Sequence, residues 1–474
     1  MSVPTYHFGP RPKRGVALGL KPAQAAAVVV GVAGATGIVL TSHAIVLGLL
    51  VLATAAVWTF LPVRGRPPHA WVAPLAAQLL GPRRGRPPLV ARRFGQAPLE
   101  TGSQTRDPSW DLQLPGLGRL RIEEVRSGAG EVALVRAGGG PPCFTLALSG
   151  PRFALEDGEV QAALVSAWGG VLNACAASRV RRIQVTERVV PDAGGSQLRW
   201  LAQAATPVDP FVLESYREHI GNCLEGAVSH EVYLSAAVHA GGSSSASTAA
   251  VECAALIEQL RAAGFDARPL SGRDKSELLR SMIAAGAPAA TPSRTSVAAR
   301  PGDWERAWEF VRTAGTCHTC FEATELPRVP LAADWAWTLV QGAAPKTERR
   351  LALHIELAPA AAGLRRAQRA VLAHEGDEAV RARWGFRSGA RTEHEADAAR
   401  TREAELAAGF ADARFAMLLS TTAPDPVALE TSARHLEIQA ASAQIELRRL
   451  YGQQAEALIA SLPLARLRLT GGWG

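Results

Sequence analysis

Between Lys21 and Arg64 the chain carries no formal charge, and His43 is the only titratable side chain in that stretch. Two apolar runs, Ala23–Leu40 and Ala44–Leu61, flank the polar triplet Thr41-Ser42-His43. Crossing about 30 Å of hydrocarbon takes roughly 20 helical residues at 1.5 Å each. The pattern therefore predicts two short membrane spans joined by a tight turn, in preference to one long buried helix. A cleaved leader fits less well, because its apolar region covers only about 7–15 residues and ends at a small-residue cleavage site. Trp58, near the end of the second run, suits a membrane–water interface.

Charge distribution sets the expected orientation. The net charge is +8. No Asp or Glu precedes Glu100, whereas Arg11, Lys13, Arg14, Lys21, Arg64, Arg66, Arg83, Arg84, Arg86, Arg92 and Arg93 all do. That excess is larger than the net charge, so the remainder of the chain is near neutral. The basicity belongs to the flanks of the hairpin, and no direct nucleic-acid site emerges. Cations on both sides of an even number of spans predict a two-pass protein of the inner (plasma) membrane with both termini cytoplasmic. Gly31, Gly34 and Gly37, with Ala27/Gly31/Ala35 at small-xxx-small spacing, predict close helix packing, within the hairpin rather than between molecules.

Residues 63–112 are rich in Pro and Arg and read as linker, within which the apolar piece Trp71–Leu80 suits the membrane surface. Beyond Gly116 the pattern predicts strands Leu117–Val125, Glu131–Arg136 and Cys143–Leu148, helix Glu159–Ala177 and strand Arg179–Val189. Helix Pro210–Ala227 and the alternating strand Glu231–His239 follow, then a Gly/Ser loop whose last residue, Ser247, is placed to cap helix Ala249–Ala263, and strand Phe265–Leu270. Residues 284–301 read as a linker, and Asp303–Trp308 as an amphipathic helix with its aromatics in a core. A later block has strand Arg350–Leu357, charged helices Leu364–Arg383 and His394–Ala408, strand Arg414–Thr422 and one long helix, Pro426–Tyr451. The expected class is α+β: a transmembrane helical hairpin followed by ferredoxin-like α+β domains. The expected divisions are 1–22 (cytoplasmic segment), 23–62 (hairpin), 63–112 (linker), 113–345 (first α+β domain) and 346–474 (second α+β/helical block).

Catalytic constellations are not visible in the sequence. Cys317-His-Thr-Cys320 is a lone CxxC without a second pair, and two thiols in an apolar β segment are the simpler reading in a reducing compartment. The six cysteines imply no disulfide framework there. No G-x-x-x-x-G-K-[ST] loop or G-x-S-x-G elbow occurs. Gly138-Gly-Gly140 precedes a proline pair and reads as a turn. His374-Glu375 lacks a second histidine, Glu393-His394-Glu395 lies in a charged helical face, and Ser243–Ser247 reads as a loop or cap. The expectation is therefore no enzyme: no catalytic, cofactor-binding or metal residues, and no cofactor.

Two ends of the chain carry a resemblance. The start, Tyr6-His-Phe-Gly-Pro-Arg-Pro-Lys-Arg-Gly-Val-Ala-Leu-Gly-Leu-Lys-Pro-Ala-Gln24, followed by two spans, resembles the PrgI-type anchor of conjugation systems. Gly385-Phe-Arg-Ser-Gly-Ala-Arg391, Arg402-Glu-Ala-Glu-Leu-Ala-Ala-Gly409, Arg448-Arg-Leu-Tyr-Gly-Gln-Gln454 and Leu462-Pro-Leu464 are similar to a family of actinobacterial type IV secretion membrane proteins. In that family a PrgI-like hairpin is fused to a domain similar to the N-terminal half of the VirB-type conjugation ATPase. Cys317–Arg328 departs from the family's Trp-rich strand, so the resemblance lends the CxxC no role. The chain stops at Gly474, where the motor domain of such an ATPase would start.

The resemblance implies a non-catalytic structural subunit of a type IV secretion (conjugative transfer) system. Its expected partners are a separate secretion ATPase, other inner-membrane secretion subunits, the lipid bilayer and copies of itself. Two alternatives stand beside it: a membrane-anchored type VII secretion (EccE-like) component, and a membrane-anchored thiol oxidoreductase using Cys317 and Cys320.

Overall fold

A computed structural model describes residues 22–61, 63, 67–80, 84–85, 110–114, 118–137, 140–151, 153–191, 209–223, 227–239, 245–284 and 304–469, the last span apart from 314, 328, 333–334, 337–338, 340–346, 384, 386–388 and 468. The N-terminal apolar stretch forms two helices, α1 (Pro22–Ser42) and α2 (Ile45–Phe60), that pack on each other. Small residues set their approach. A Cβ on Gly31 would collide with that of Ala55, and one on Gly48 would sit 2.7 Å from Val39 Cγ2. Gln24 Nε2 donates to the Thr59 carbonyl (3.1 Å), closing the open end of the pair. Outward, Val29, Val30, Leu40, Val46, Leu49 and Leu50 are exposed, a surface unlike that of a water-facing helix. α1 is long and apolar enough to cross a membrane, while α2, at 16 residues, is shorter.

A short turn, Pro68–Trp71, and α3 (Val72–Leu80) follow the hairpin. The remaining strands join one fully antiparallel sheet, 14-stranded among the described residues. Its first half contains β2 (Trp110–Leu114), β3 (Gly118–Ser127), β4 (Gly130–Ala137), β5 (Cys143–Ser149), α4 (Gly158–Ala177), β6 (Val180–Pro191), α5 (Pro210–Cys223), β7 (Val228–Val238), α6 (Ser245–Ala262), β8 (Asp266–Pro269) and α7 (Gly272–Ile283). The second contains β9 (Trp304–Arg306), β10 (Val311–Thr313), β11 (Thr316–Glu325), β12 (Arg349–Ala358), α8 (Ala360–Arg383), α9 (Ala390–Ala407), β13 (Asp412–Ala423), α10 (Pro426–Ser442), β14 (Glu446–Arg449) and α11 (Gln454–Ser461). β1 (Arg84–Gly85) reaches forward from the expected linker to pair with β9.

The halves repeat one plan. Strand order is β8-β5-β7-β6 in one and β14-β11-β13-β12 in the other. They meet at a seam where β6 pairs antiparallel with β12, with Gln184 opposite His354 and Arg188 opposite Arg350. β5 shares its outer edge between β4 and β8, and β11 shares its own between β10 and β14. The run from α6 to α7 recurs from α10 to α11 with the helix and strand ends in step. Leu256, Gln259, Ala263, Arg268, Leu270, Gly272, Leu278 and Ser281 find identical counterparts in Leu436, Gln439, Ala443, Arg448, Leu450, Gly452, Leu458 and Ser461. The junction falls in the Ala/Pro/Ser/Thr stretch read as a linker; its residues 285–301 lie outside the described residues. The sheet itself runs through the expected division at 345/346, because β11 bonds to β13 and β14 beyond it.

Helices cover both faces. α4 and α6 bury Val171, Cys175, Leu256 and Leu260 against Phe144, Ile183, Leu234 and Ile355, and α10 continues that layer over Phe321, Met417 and Leu419. α7, α11 and the run Leu462–Leu467 cover the opposite face. α4 is also long and apolar enough to cross a membrane, but its buried side chains belong to this core.

Four readings need correction. Trp304–Arg306 is a strand, not a helix: it alternates between β1 and β10, and the chain turns at Trp308. The helix expected over Pro426–Tyr451 stops at Ser442, turns through Gln444 at positive φ, and resumes as β14. Ser247 is not a cap, since α6 already starts at Ser245. Part of the 63–112 linker is structured as β1 and β2, while α3 falls on the apolar piece Trp71–Leu80. α7 was not anticipated at all; Ser271 caps it by accepting from the Asp274 amide (3.1 Å).

Candidate functional site

The place where the hairpin meets the sheet is built from aromatics. The Trp71 indole lies 5.8 Å from that of Trp308 and 6.3 Å from the Tyr451 ring, centroid to centroid. Trp308 sits in the β9–β10 turn and Tyr451 follows β14, so both come from the second half of the sheet. Gly452 permits the contact: a Cβ there would stand 2.6 Å from the Trp308 ring and 3.1 Å from Pro74. The Gly452 amide donates to the Trp308 carbonyl (2.8 Å). Arg449 stacks its guanidinium 5.9 Å over Tyr451 and pairs with Glu430 (2.7 Å). Burying aromatic faces this way contributes packing beyond area alone, with ring pairs adding about 0.5–1.5 kcal/mol.

At the seam lies a buried polar layer. On β6, Gln184, Thr186 and Arg188 point to the α7/α11 face, as Arg350 and His354 do on β12. α7 and α11 aim their C-termini at this layer, and helix C-termini leave carbonyls without intrahelical partners. Sheet side chains satisfy them. Arg350 donates to the Met282 carbonyl, and Gln184 Nε2 to those of Ala460 (3.1 Å) and Leu462 (2.8 Å). His354 Nε2 donates to the Ala460 carbonyl (2.8 Å) and His318 Nε2 to that of Ile283 (3.0 Å). Gln184 Oε1 accepts from the amides of Leu464 (3.1 Å) and Ala465 (2.7 Å). Positive charge placed there also answers the negative ends of the helix dipoles.

Glu348 anchors the charges, contacting Arg188 at 2.9 Å and Arg350 at 2.6 Å. Burial alone would raise its carboxyl, yet Arg350 and Arg188 hold it below the ordinary carboxylate range. Burial pushes the imidazole of His318 down to about 3, with Arg350 adding to the effect, and that of His354 down to about 4. Both rings are therefore neutral hydrogen-bonding groups. Lys275 is fully buried, donating to Thr145 Oγ1 (2.7 Å) and to the Pro463 carbonyl. Burial lowers its ammonium to about 8. This layer binds helix ends to the sheet, and most of its donors are taken up by carbonyls and by Glu348.

The CxxC takes a different form. Cys317 packs with Ala423 and Leu429 under α10, whereas Cys320 packs with Leu418 and Ala455 under α11. Residues three apart in a strand face opposite sides and lie about 10 Å apart, beyond the roughly 7 Å Cα limit for a disulfide. Burial raises the Cys320 thiol to about 12 and that of Cys143 to about 11. Among the described residues no group of three or more His, Cys, Asp or Glu is arranged to hold a metal ion. Ser245 starts α6 and bonds to Arg136 Nη2 (2.5 Å), His374-Glu375 lies in α8, and Glu393-His394-Glu395 lies in α9. Gly140 lies in the turn after β4, its amide donating to the Ala137 carbonyl; Gly138, Gly139, Ser243 and Ser244 lie outside the described residues. Among the described residues, no two of these motifs converge on a shared site.

Fold and site together define a class: a mixed helix-and-sheet body carrying two apolar N-terminal helices through an aromatic dock. No family model matches this chain, and no curated protein sequence matches it.

Proposed function

We propose that this protein is a non-catalytic inner-membrane structural subunit of a type IV secretion (conjugative transfer) system that docks or organises a separate ATPase. The observation that carries the reading is the pairing of an apolar hairpin with the Trp71 dock, which ties the sheet body to the hairpin's exit. In this reading the hairpin is a two-pass span with both termini cytoplasmic, and each half of the sheet is ferredoxin-like. Support for the second point is the order fourth-first-third-second in both halves, all antiparallel. The polar interior supports a scaffold role, because its charged groups are committed to helix ends and to one another. A thiol oxidoreductase is disfavoured by the placement of Cys317 and Cys320 on opposite faces.

The test is biochemical. Full-length protein purified in nanodiscs should hydrolyse no ATP by itself and should retain a VirB-type ATPase encoded beside it on an affinity column. Intrinsic hydrolysis would overturn the scaffold reading. Failure to retain that ATPase, together with neighbouring genes for small WxG-type substrates, would turn the reading toward type VII secretion.

A further inference from the structure

α3 has two faces with different surroundings. Trp71, at its start, and Pro74 are buried, and they meet Trp308, Tyr451 and Gly452. Val72, Leu75 and Leu79 share another stripe at helical spacing, exposed by 51%, 45% and 67%. That stripe continues an apolar surface begun by the hairpin's exit, where Trp58, Phe60, Leu61 and Val63 are exposed too. The Trp71 indole N–H donates to the Val63 carbonyl (3.0 Å), pinning the start of α3 beside the end of α2. In sequence, Arg64 and Arg66 precede the helix and Arg83, Arg84 and Arg86 follow it, with no acidic residue anywhere between.

From this arrangement we infer that α3 is a lipid-binding clamp, lying in the headgroup region of the bilayer that the hairpin crosses. Val72, Leu75 and Leu79 enter the acyl boundary, and the flanking arginines attract anionic headgroups. Its other face holds Trp308 and Tyr451, so the clamp grips the second half of the sheet against the membrane. The inference rests on the hairpin spanning the membrane.

A labelling experiment separates the two. Full-length protein in a Cys223→Ser background, its other cysteines being buried, carries an environment-sensitive fluorophore at Leu79→Cys, Leu50→Cys or Phe211→Cys. Each is reconstituted in phosphatidylcholine vesicles with or without phosphatidylglycerol. A shallow doxyl lipid should quench the Leu79 label at least about twofold more than the α5 label at Phe211, as an interfacial helix requires. Phosphatidylglycerol should deepen that quenching, and Leu75→Asn should weaken it while circular dichroism is preserved. If aqueous iodide reaches the Leu79 label as readily as the Phe211 label while lipid quenches Leu50, the clamp is wrong and the spanning hairpin stands. If lipid fails to quench Leu50, the membrane reading itself falls. Shielding of Leu79 by energy transfer between copies, without lipid quenching, would assign this face to a second molecule and overturn the inference.

Discussion

Gln444 occupies in the second half of the sheet the turn that Gly264 occupies in the first. Both lie at positive φ, +57° and +86°, and both follow a helix whose next residue bonds back to it. Phe265 donates to the Leu260 carbonyl (2.9 Å) and Ile445 to that of Ala440 (2.8 Å). Glycine adopts this conformation without cost, whereas a side chain at the same place is strained. Gln444→Gly should therefore stabilise the protein by about 0.5–1 kcal/mol, and Gly264→Gln should destabilise it by about 1 kcal/mol or more. Urea unfolding of the full chain in detergent checks both; a destabilising Gln444→Gly would refute the equivalence.

Glu348→Ala removes the carboxylate shared by Arg188 and Arg350 and leaves two guanidinium groups buried near each other. Breaking a buried pair from one side costs about 3–5 kcal/mol. The expected result is a large drop in the urea midpoint. Replacing Glu348, Arg188 and Arg350 together by apolar residues should cost less than the single change.

His318 and His354 make stability depend on pH. Their folded values lie near 3 and 4, below about 6.5 for an unfolded histidine. Between those limits the unfolded chain binds more protons, so stability is fully present above about pH 6.5 and is lost as pH falls toward 4. His354→Gln should flatten that part of a stability–pH curve. An unchanged slope would mean that the ring is not held neutral.

Much of this was legible in the sequence, and the exceptions share a cause. Alternation and helical spacing located β5, β6, β7, β12, β13, α4, α8 and α9 to within a few residues. They failed where the turn residue was unusual. Gly264 is a residue type that ends a helix, whereas Gln444 is not, so in the sequence a helix and a strand merge into one. Trp304 and Trp308 are spaced like a helical face, so spacing predicts a helix there; their neighbours β1 and β10 are set by pairing across the chain, which spacing cannot reveal. The seam polar layer is not visible in the sequence because its members, from Thr145 to His354, come together only through the sheet.

Cys317 and Cys320 should behave as two isolated thiols. In native protein both should resist a thiol-reactive dye and an oxidant, and each should titrate after unfolding in denaturant. A disulfide between them under mild oxidation would contradict their placement on opposite faces.

Trp71 and Trp308 should be energetically coupled. A double-mutant cycle to alanine, read from thermal unfolding, should return about 0.5–1.5 kcal/mol for the pair. Additive losses would mean that α3 sits on the sheet without depending on this contact.

Gln184 finds hydrogen-bond partners far downstream: the Ala460 and Leu462 carbonyls and the Leu464 and Ala465 amides, the last two 280 and 281 positions on. The Pro463 carbonyl likewise accepts from Lys275 and from Thr145 in the first half (3.2 Å from Thr145 Oγ1). During synthesis the first half is thus an unfinished layer, its seam edge and Lys275 waiting for a strip of chain made hundreds of codons later. These hydrogen bonds of the seam cannot form before that strip is made. The two apolar N-terminal helices are therefore made well before the strip that completes the sheet's seam.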